Sequence, residues 1–300
     1  MQQLNIQDIS LLLMESPTSP QHVGGVQILR KPEGAHKDYA RRLYQRWIRV
    51  PVRTAPFNYR LLETVHESVA KLPASKLPGV KQLVQTLGKA YFWEILEDVD
   101  VSEHLHLHTL AHPGSTAQLL ELVSRLHSSL LDRSRPLWEQ HIIDGLPGDR
   151  FAFYSKLHHA LLDGKRAMAI AQLSTSSNPR RRNLPPGWAV DQDALQAIIA
   201  RRVAKAQPDT DVQSLDSWFE TVRTLGADWV RSRVRRPGSG VIAPYSAPES
   251  ILNRPLSARR SIAMCSLPLR TIEAVGSAAG ATVNEVLLGC CAGALHRYLQ

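Results

Sequence analysis

Two adjacent histidines, followed at a fixed interval by an aspartate and a glycine, are the residues here best suited to chemistry: His158-His159-Ala160-Leu161-Leu162-Asp163-Gly164. An imidazole, with an ordinary pKa of about 6.5, can take a proton from a hydroxyl near neutral pH and give it back to a leaving group. The run follows an apolar, strand-like segment, Phe151 to Leu157, and precedes a helix-like one, Lys165 to Leu173. A strand end fixes the imidazole, the carboxylate can hold the loop, and the glycine lets the chain turn. The same string also suits a purely structural part, with both histidines satisfied inside the core and Asp163 capping the next helix. Alone, the run names a base without naming a reaction.

The surrounding elements decide how the histidines are delivered. Trp138 to Ile143 and Arg150 to Leu157 flank Leu146-Pro147-Gly148-Asp149, a turn sequence, and predict an antiparallel hairpin whose second strand ends at the histidines. Residues 22–30, HVGGVQILR, read as a strand, and Tyr39, Leu43 and Trp47 at four-residue spacing read as an amphipathic helix. The stretch from Leu72 to Pro78 reads as loop. Ser115 is placed to cap a helix with an apolar stripe of Leu119, Leu122, Leu126 and Leu130. Together these predict a mixed α/β, layered domain over residues 1–175. Residues 176–257 read as a basic interdomain linker with helices, one of them running from Leu215 to Arg236 with an aromatic face and an arginine-rich end. From 258 a second domain begins: a strand from Ser261 to Leu267, then helices over Leu269–Ala279 and Val283–Leu299.

Composition narrows the function classes. With 300 residues, 43% of them apolar, the chain can fill more than one core, and no apolar run approaches a membrane span. Ile9–Met14 is too short for a signal peptide and lacks a basic region before it, and three cysteines read as reduced thiols point to a cytoplasmic protein. Cys265, Cys290 and Cys291 have no metal or redox spacing. The net charge of +9 asks for an anionic partner, such as a phospholipid surface or a phosphate-bearing substrate. Its arginine clumps come with no nucleic-acid-binding signature, so nucleic acid is not expected. His104, His106 and His108 share one strand face, with Asp100 or His112 in reach as a further zinc ligand. Residues two apart on a strand sit nearly seven ångströms apart, roughly twice the 3.3 Å rise, which is too far for three of them to share one ion; no metal is expected.

The block PLWEQHIIDGLPGDRFAFYSKLHHALLDG, opened by Pro136-Leu137-Trp138, closely resembles the bacterial wax ester synthase/diacylglycerol acyltransferase family. LLLMESPTSPQHVGGVQIL resembles that family's opening, HTLAHPG its histidine-rich region, and LSARRSIAMCSLPLRTIEAVGSAAGATVNEVLLGCCAGALHRYL the start of its second domain. The resemblance implies a two-domain α/β fold like the CoA-dependent acyltransferases, chloramphenicol acetyltransferase and peptide-synthetase condensation domains, with the second domain truncated. It implies transfer of a fatty acyl group from acyl-CoA to a long-chain alcohol or to diacylglycerol, giving wax ester or triacylglycerol. Acyl-CoA is then a substrate and no cofactor is needed. By the same resemblance His159 is the general base, His158 and Asp163 support the loop, Asp163 through an arginine, and Gly164 permits the turn. Asn284 matches the family's Asn-Asp pair and is expected to be structural more than catalytic.

Three residues depart from the family pattern: Glu285 stands where Asp is usual, and Lys165 and Arg166 follow the motif where small residues are common. The two cations would meet CoA phosphates or point to solvent. Two other functions stay open, a condensation-type enzyme fed by an acyl carrier and a non-catalytic lipid-surface binding fragment. A tunnel enzyme short of one wall is expected to expose the apolar faces of Leu269–Leu299 and to be poorly soluble and weakly active alone. A water-insoluble acceptor would bring the protein to a membrane or lipid-inclusion surface.

Overall fold

The computed structural model describes residues 2–65, 89–176, 178, 181, 183–203 and 250–300. These fall into two compact units, residues up to 203 with 258–260, and residues 250–257 with 261–300. The expected loop around 72–78 and the expected helix from Leu215 to Arg236 lie outside the described residues.

The first unit begins with a short strand, β1 (Gln2–Gln3), and helix α1 (Ile6–Met14), capped by Asn5, whose side chain accepts the Asp8 N–H at 2.8 Å. Strand β2 (His22–Arg30) and helix α2 (Tyr39–Trp47) follow, then β3 (Tyr59–Val65) and β4 (Lys89–Ile95). Next come β5 (Leu105–Thr109), helix α3 (Thr116–Ser128), the hairpin β6 (Trp138–Leu146) and β7 (Arg150–His158), and helices α4 (Gly164–Ser174) and α5 (Gln192–Val203).

Two sheets form. A three-stranded sheet has the order β1-β4-β3, and a four-stranded one the order β2-β7-β6-β5, with β5 parallel to β6 and the other pairs antiparallel. The hairpin turns where its glycine lies in the left-handed region, Gly148 at φ 71°, followed by Asp149 at φ 51°. Its register shifts between Ile143 and Leu146, a bulge that the alternation of apolar residues does not announce. Gly114 (φ 68°) packs against that bulge so closely that a Cβ would lie 1.7 Å from the Gly145 carbonyl oxygen.

The faces of the four-stranded sheet differ in chemistry. On one, Phe151 and Phe153 receive α2: Tyr39 meets Phe151 edge-on at 5.6 Å and Trp47 stacks on Phe153 at 5.2 Å. On the other, the partnered residues His22 and His158, Gly24 and Lys156, and His141 and Tyr154 form a polar layer beneath α3. Ser115 and Gln118 close the capping box that starts α3, and Leu119 and Val123 bury its inner face. Leu130, expected to extend that stripe, lies past the helix end and is exposed, because the helix stops at Ser128.

The chain expected to act as linker after residue 175 returns to the core. Trp188 is fully buried, stacks on Trp138 at 5.3 Å, and donates its indole N–H to the Val50 carbonyl at 3.0 Å. Apolar area explains the return, since an indole left in water forfeits the burial of a large ring.

In the second unit, helices α6 (Leu269–Ala279) and α7 (Val283–Leu299) follow the sequence expectation, joined by a C-cap at Gly280 in the left-handed conformation (φ 64°). The expected strand from Ser261 to Leu267 is not one: the segment carries no strand assignment, because no neighbouring strand among the described residues completes a ladder with it. The apolar side chains Leu269, Leu288, Leu295 and Tyr298 are exposed, as expected for Leu269–Leu299.

Candidate active site

Strand β7 ends by separating the two histidines. His158 is fully buried, whereas His159 is exposed. The alternation of a strand accounts for the difference: His158 pairs with His22 on the polar face, and the next residue leaves the sheet as the strand ends. The backbone is held on both sides of the loop. The His158 N–H donates to the Leu137 carbonyl and the His159 N–H to the Gln21 carbonyl, each at 3.0 Å, and the Leu161 N–H returns to the His158 carbonyl at 3.0 Å.

The His158 ring is fixed as well. Its Nδ1 accepts the Ala160 N–H at 3.0 Å, so the neutral ring carries its proton on Nε2, which faces Glu15 Oε1 at 3.5 Å. That separation is an electrostatic contact and longer than a hydrogen bond. Burial alone would raise the Glu15 carboxyl; the neighbouring His158 and Arg133 instead hold it down at about 2. Asp8, in the first turn of α1, also faces the loop. Burial pushes its carboxyl up to about 6, with His159 opposing and Asp163 adding to the rise. Neither Glu15 nor Asp8 was singled out from the sequence. Both lie some 145 residues from the motif or farther, and only the pairing of β2 with β7 brings α1 beside it.

The remaining expected site residues fall into place unevenly. Asp163 does not pair with an arginine side chain among the described residues; it caps α4 by accepting the Arg166 backbone N–H at 2.7 Å. Gly164 is the first residue of α4, has no left-handed φ and has open space where a Cβ would go, so the turn does not need a glycine there. Lys165 is exposed, while the Arg166 guanidinium is partly committed, donating to the Ala55 carbonyl at 2.9 Å. Pro136, Leu137 and Trp138 are buried, and the Leu137 carbonyl is the acceptor for the His158 N–H. Asn284 is exposed in the first turn of α7. Beside it Glu285 completes a capping box with Thr282, accepting the Thr282 N–H at 2.6 Å, a reach that suits the longer acid.

The three histidines do not gather round one point: His104 precedes β5 and goes to Trp138, while His106 and His108 in the strand both meet His141. His104 stacks on Trp138 at 4.3 Å and bonds the Trp138 carbonyl through Nδ1 at 2.8 Å. His106 stacks on His141 at 4.9 Å, and His108 Nε2 meets His141 Nδ1 at 3.1 Å. Below α3, His106, His108 and His141 join His22, bonded to the His127 carbonyl at 2.8 Å, and Lys156, whose amine donates to the Leu126 carbonyl at 3.0 Å and approaches Glu139 at 3.4 Å.

This layer predicts an acid-sensitive fold. Burial pushes His22 and His108 down to about 4, and lowers His104, His106 and His127. Such histidines bind fewer protons folded than unfolded between the folded value and about 6.5, so their stability is complete above that pH and falls as pH drops toward 4. Glu139, which burial would raise but His141 and Lys156 hold at about 2, keeps its contribution until pH falls below the ordinary carboxylate range. The histidines therefore account for the loss between pH 7 and 4.5. A thermal midpoint lower by about 5 °C or more at pH 4.5 is expected, from roughly 1 kcal/mol for each strongly shifted group after allowance for partial exposure. Scanning calorimetry across that range checks it, and a flat midpoint would contradict it.

The sequence matches the wax ester synthase/diacylglycerol acyltransferase catalytic domain over residues 4–287. The chain belongs to the wax ester synthase/diacylglycerol acyltransferase family. A putative diacylglycerol O-acyltransferase of Mycobacterium bovis is 33% identical over 298 residues, 97% of this chain and 59% of that protein. Another, of Mycobacterium tuberculosis, is 33% identical over 294 residues, 98% of this chain and 59% of its own length. Among solved structures, the wax ester synthase/diacylglycerol acyltransferase from Marinobacter aquaeolei VT8 is similar with a TM-score of 0.69 and 32% identity, over 100% of this chain and 60% of that one. The chain thus spans about three fifths of the length of these relatives. The likeness in structure carries the acyltransferase-like fold expected from the sequence.

Proposed function

We propose that the protein carrying this chain transfers a fatty acyl group from acyl-CoA to a long-chain alcohol or to diacylglycerol, with His159 as general base. The observation that supports it most is the exposed His159 held at a strand end next to a buried, tautomer-fixed His158, in a chain of this family. An alcohol is a poor nucleophile near neutral pH and a thioester a good electrophile. His159 takes the hydroxyl proton as the oxygen attacks the thioester carbonyl. The tetrahedral intermediate then collapses, the carbon–sulfur bond breaks, and the imidazolium returns the proton to the departing thiolate. The ester and free CoA leave, the base is restored, and neither a covalent enzyme intermediate nor a cofactor is required.

No single helix among the described residues is long and apolar enough to cross a membrane. We also propose a cytoplasmic protein working at the surface of the inner membrane or of lipid inclusions, where a water-insoluble acceptor would be met. The deciding experiment offers the full-length protein radiolabelled acyl-CoA or the same acyl group on a carrier protein, with hexadecanol or diolein as acceptor. Ester formation from acyl-CoA at least ten times faster than from the carrier is expected. A preference for the carrier would assign it to condensation chemistry, and liposome binding without turnover to a binding role.

A further inference from the structure

We infer that Glu15 is a positioning residue for His159, acting through Gln21 and His158 at once. The inference rests on the reading of His159 as the base. Glu15 ends α1, and its side chain is only 3% exposed. Its two oxygens have divided duties. Oε2 accepts from Arg133, from Nε at 3.2 Å and from Nη2 at 3.0 Å, and the same Nη2 also donates to the Leu12 carbonyl at 2.7 Å. Arg133 Nη1 continues to Glu63 at 3.0 Å, so the guanidinium cannot swing away from the pair. A carboxylate this buried stays charged because that cation answers it.

Oε1 faces the other way, toward the motif. It accepts the Gln21 N–H at 3.3 Å and faces the proton-bearing Nε2 of His158 at 3.5 Å. The Gln21 carbonyl is the acceptor for the His159 N–H, and the far nitrogen of the His158 ring is the acceptor for the Ala160 N–H. One carboxylate oxygen therefore anchors the groups that hold the backbone amides of His159 and of the residue after it. Removing its charge leaves the sheet pairing of β7 in place while loosening the loop that aims the imidazole. Reaction geometry is sensitive to this: a shift of about 1 Å at a base costs roughly 100-fold in rate. A carboxylate serving only to close α1 onto Arg133 would have no reason to turn its second oxygen to both supports of the motif.

The test is a double-mutant cycle in the full-length protein, read as the single-turnover rate of ester formation from radiolabelled acyl-CoA, with donor affinity measured separately. Glu15→Gln is expected to slow the step about 10- to 100-fold with donor affinity changed less than about two-fold, up to the cost of misplacing a reacting group by about 1 Å. In the His159→Ala background the same substitution is expected to change the residual rate less than about two-fold, since there is no imidazole left to aim. A Glu15→Gln rate within two-fold of the wild type overturns the inference, as does a double variant slowed by the product of the two single effects. If His159→Ala alone leaves the rate unchanged, the base assignment fails and this inference fails with it, a result distinct from both others. Glu15→Asp, which keeps the charge on a shorter reach, is expected to lose several-fold and to lose nothing further without His159. It carries the same test should Glu15→Gln not fold.

Discussion

His159→Ala is expected to slow acyl transfer by about 100- to 10,000-fold while leaving the thermal midpoint within a degree or two of the wild type. The rate range is that of a positioned general base. The stability expectation follows from exposure: His159 lies in solvent at the strand end and its structural contribution is the backbone N–H to Gln21, which alanine retains. His158→Ala makes the informative contrast. That ring is fully buried between the Ala160 N–H and Glu15, and its loss opens a cavity, leaves the Ala160 N–H without its acceptor and removes the ring that Glu15 faces. The His158 variant is therefore expected to fall in both stability and rate, the His159 variant in rate alone. Single-turnover transfer from acyl-CoA and a thermal melt on the same two variants check this. A His159→Ala protein with unchanged transfer would sink the assignment of the base, and one that melts early would make its rate loss uninterpretable as chemistry.

How far the site could be read from sequence depends on how local each cause is. The hairpin, the motif at its end and the cap at Asp163 follow from neighbours within a few residues, and the structure places β6, β7 and α4 where turn and capping residues put them. Gly164 shows the limit of such reasoning. A glycine beside a turn suggests that the turn requires it, but the Gly164 backbone angles are open to any residue. Glu15, Asp8 and Trp188 were invisible for another reason. Glu15 and Asp8 reach the motif across more than a hundred residues and Trp188 stacks on a ring far back in the chain, and nothing in the local pattern marks a glutamate after a helix as buried. The strand expected at Ser261–Leu267 failed on the same ground, since β pattern without a partner strand leaves the backbone donors unmatched. The histidine face expected over 104–108 holds for His106 and His108 in β5, while His104 precedes the strand. Only the structure shows that His106 stacks on His141 while His104 stacks on Trp138.

Trp138→Ala is expected to destabilise the protein by about 3–5 kcal/mol, the range for deleting a large buried aromatic. The site bears this out residue by residue. The indole is 2% exposed, stacks on His104 at 4.3 Å and on Trp188 at 5.3 Å, meets Phe57 edge-on at 5.3 Å, and donates its N–H to the Phe57 carbonyl at 2.8 Å. Alanine would orphan that carbonyl and leave three rings without their common neighbour. The consequence for function is indirect: Trp138 pairs with Leu157, the residue before the histidines, and the Leu137 carbonyl beside it holds the His158 N–H. Loss of the indole should thus loosen the end of β7 that presents His159, lowering transfer in proportion to the folded fraction and further through disorder of the loop. Trp138→Phe, which keeps a ring but not the N–H, is expected to recover more than half of the lost stability, because most of the contribution is packing and a single neutral hydrogen bond adds only about 1 kcal/mol. Urea unfolding of the two variants decides the matter. Equal destabilisation by alanine and phenylalanine would show that the hydrogen bond to Phe57, and not the stacked aromatic cluster, holds the hairpin against the core.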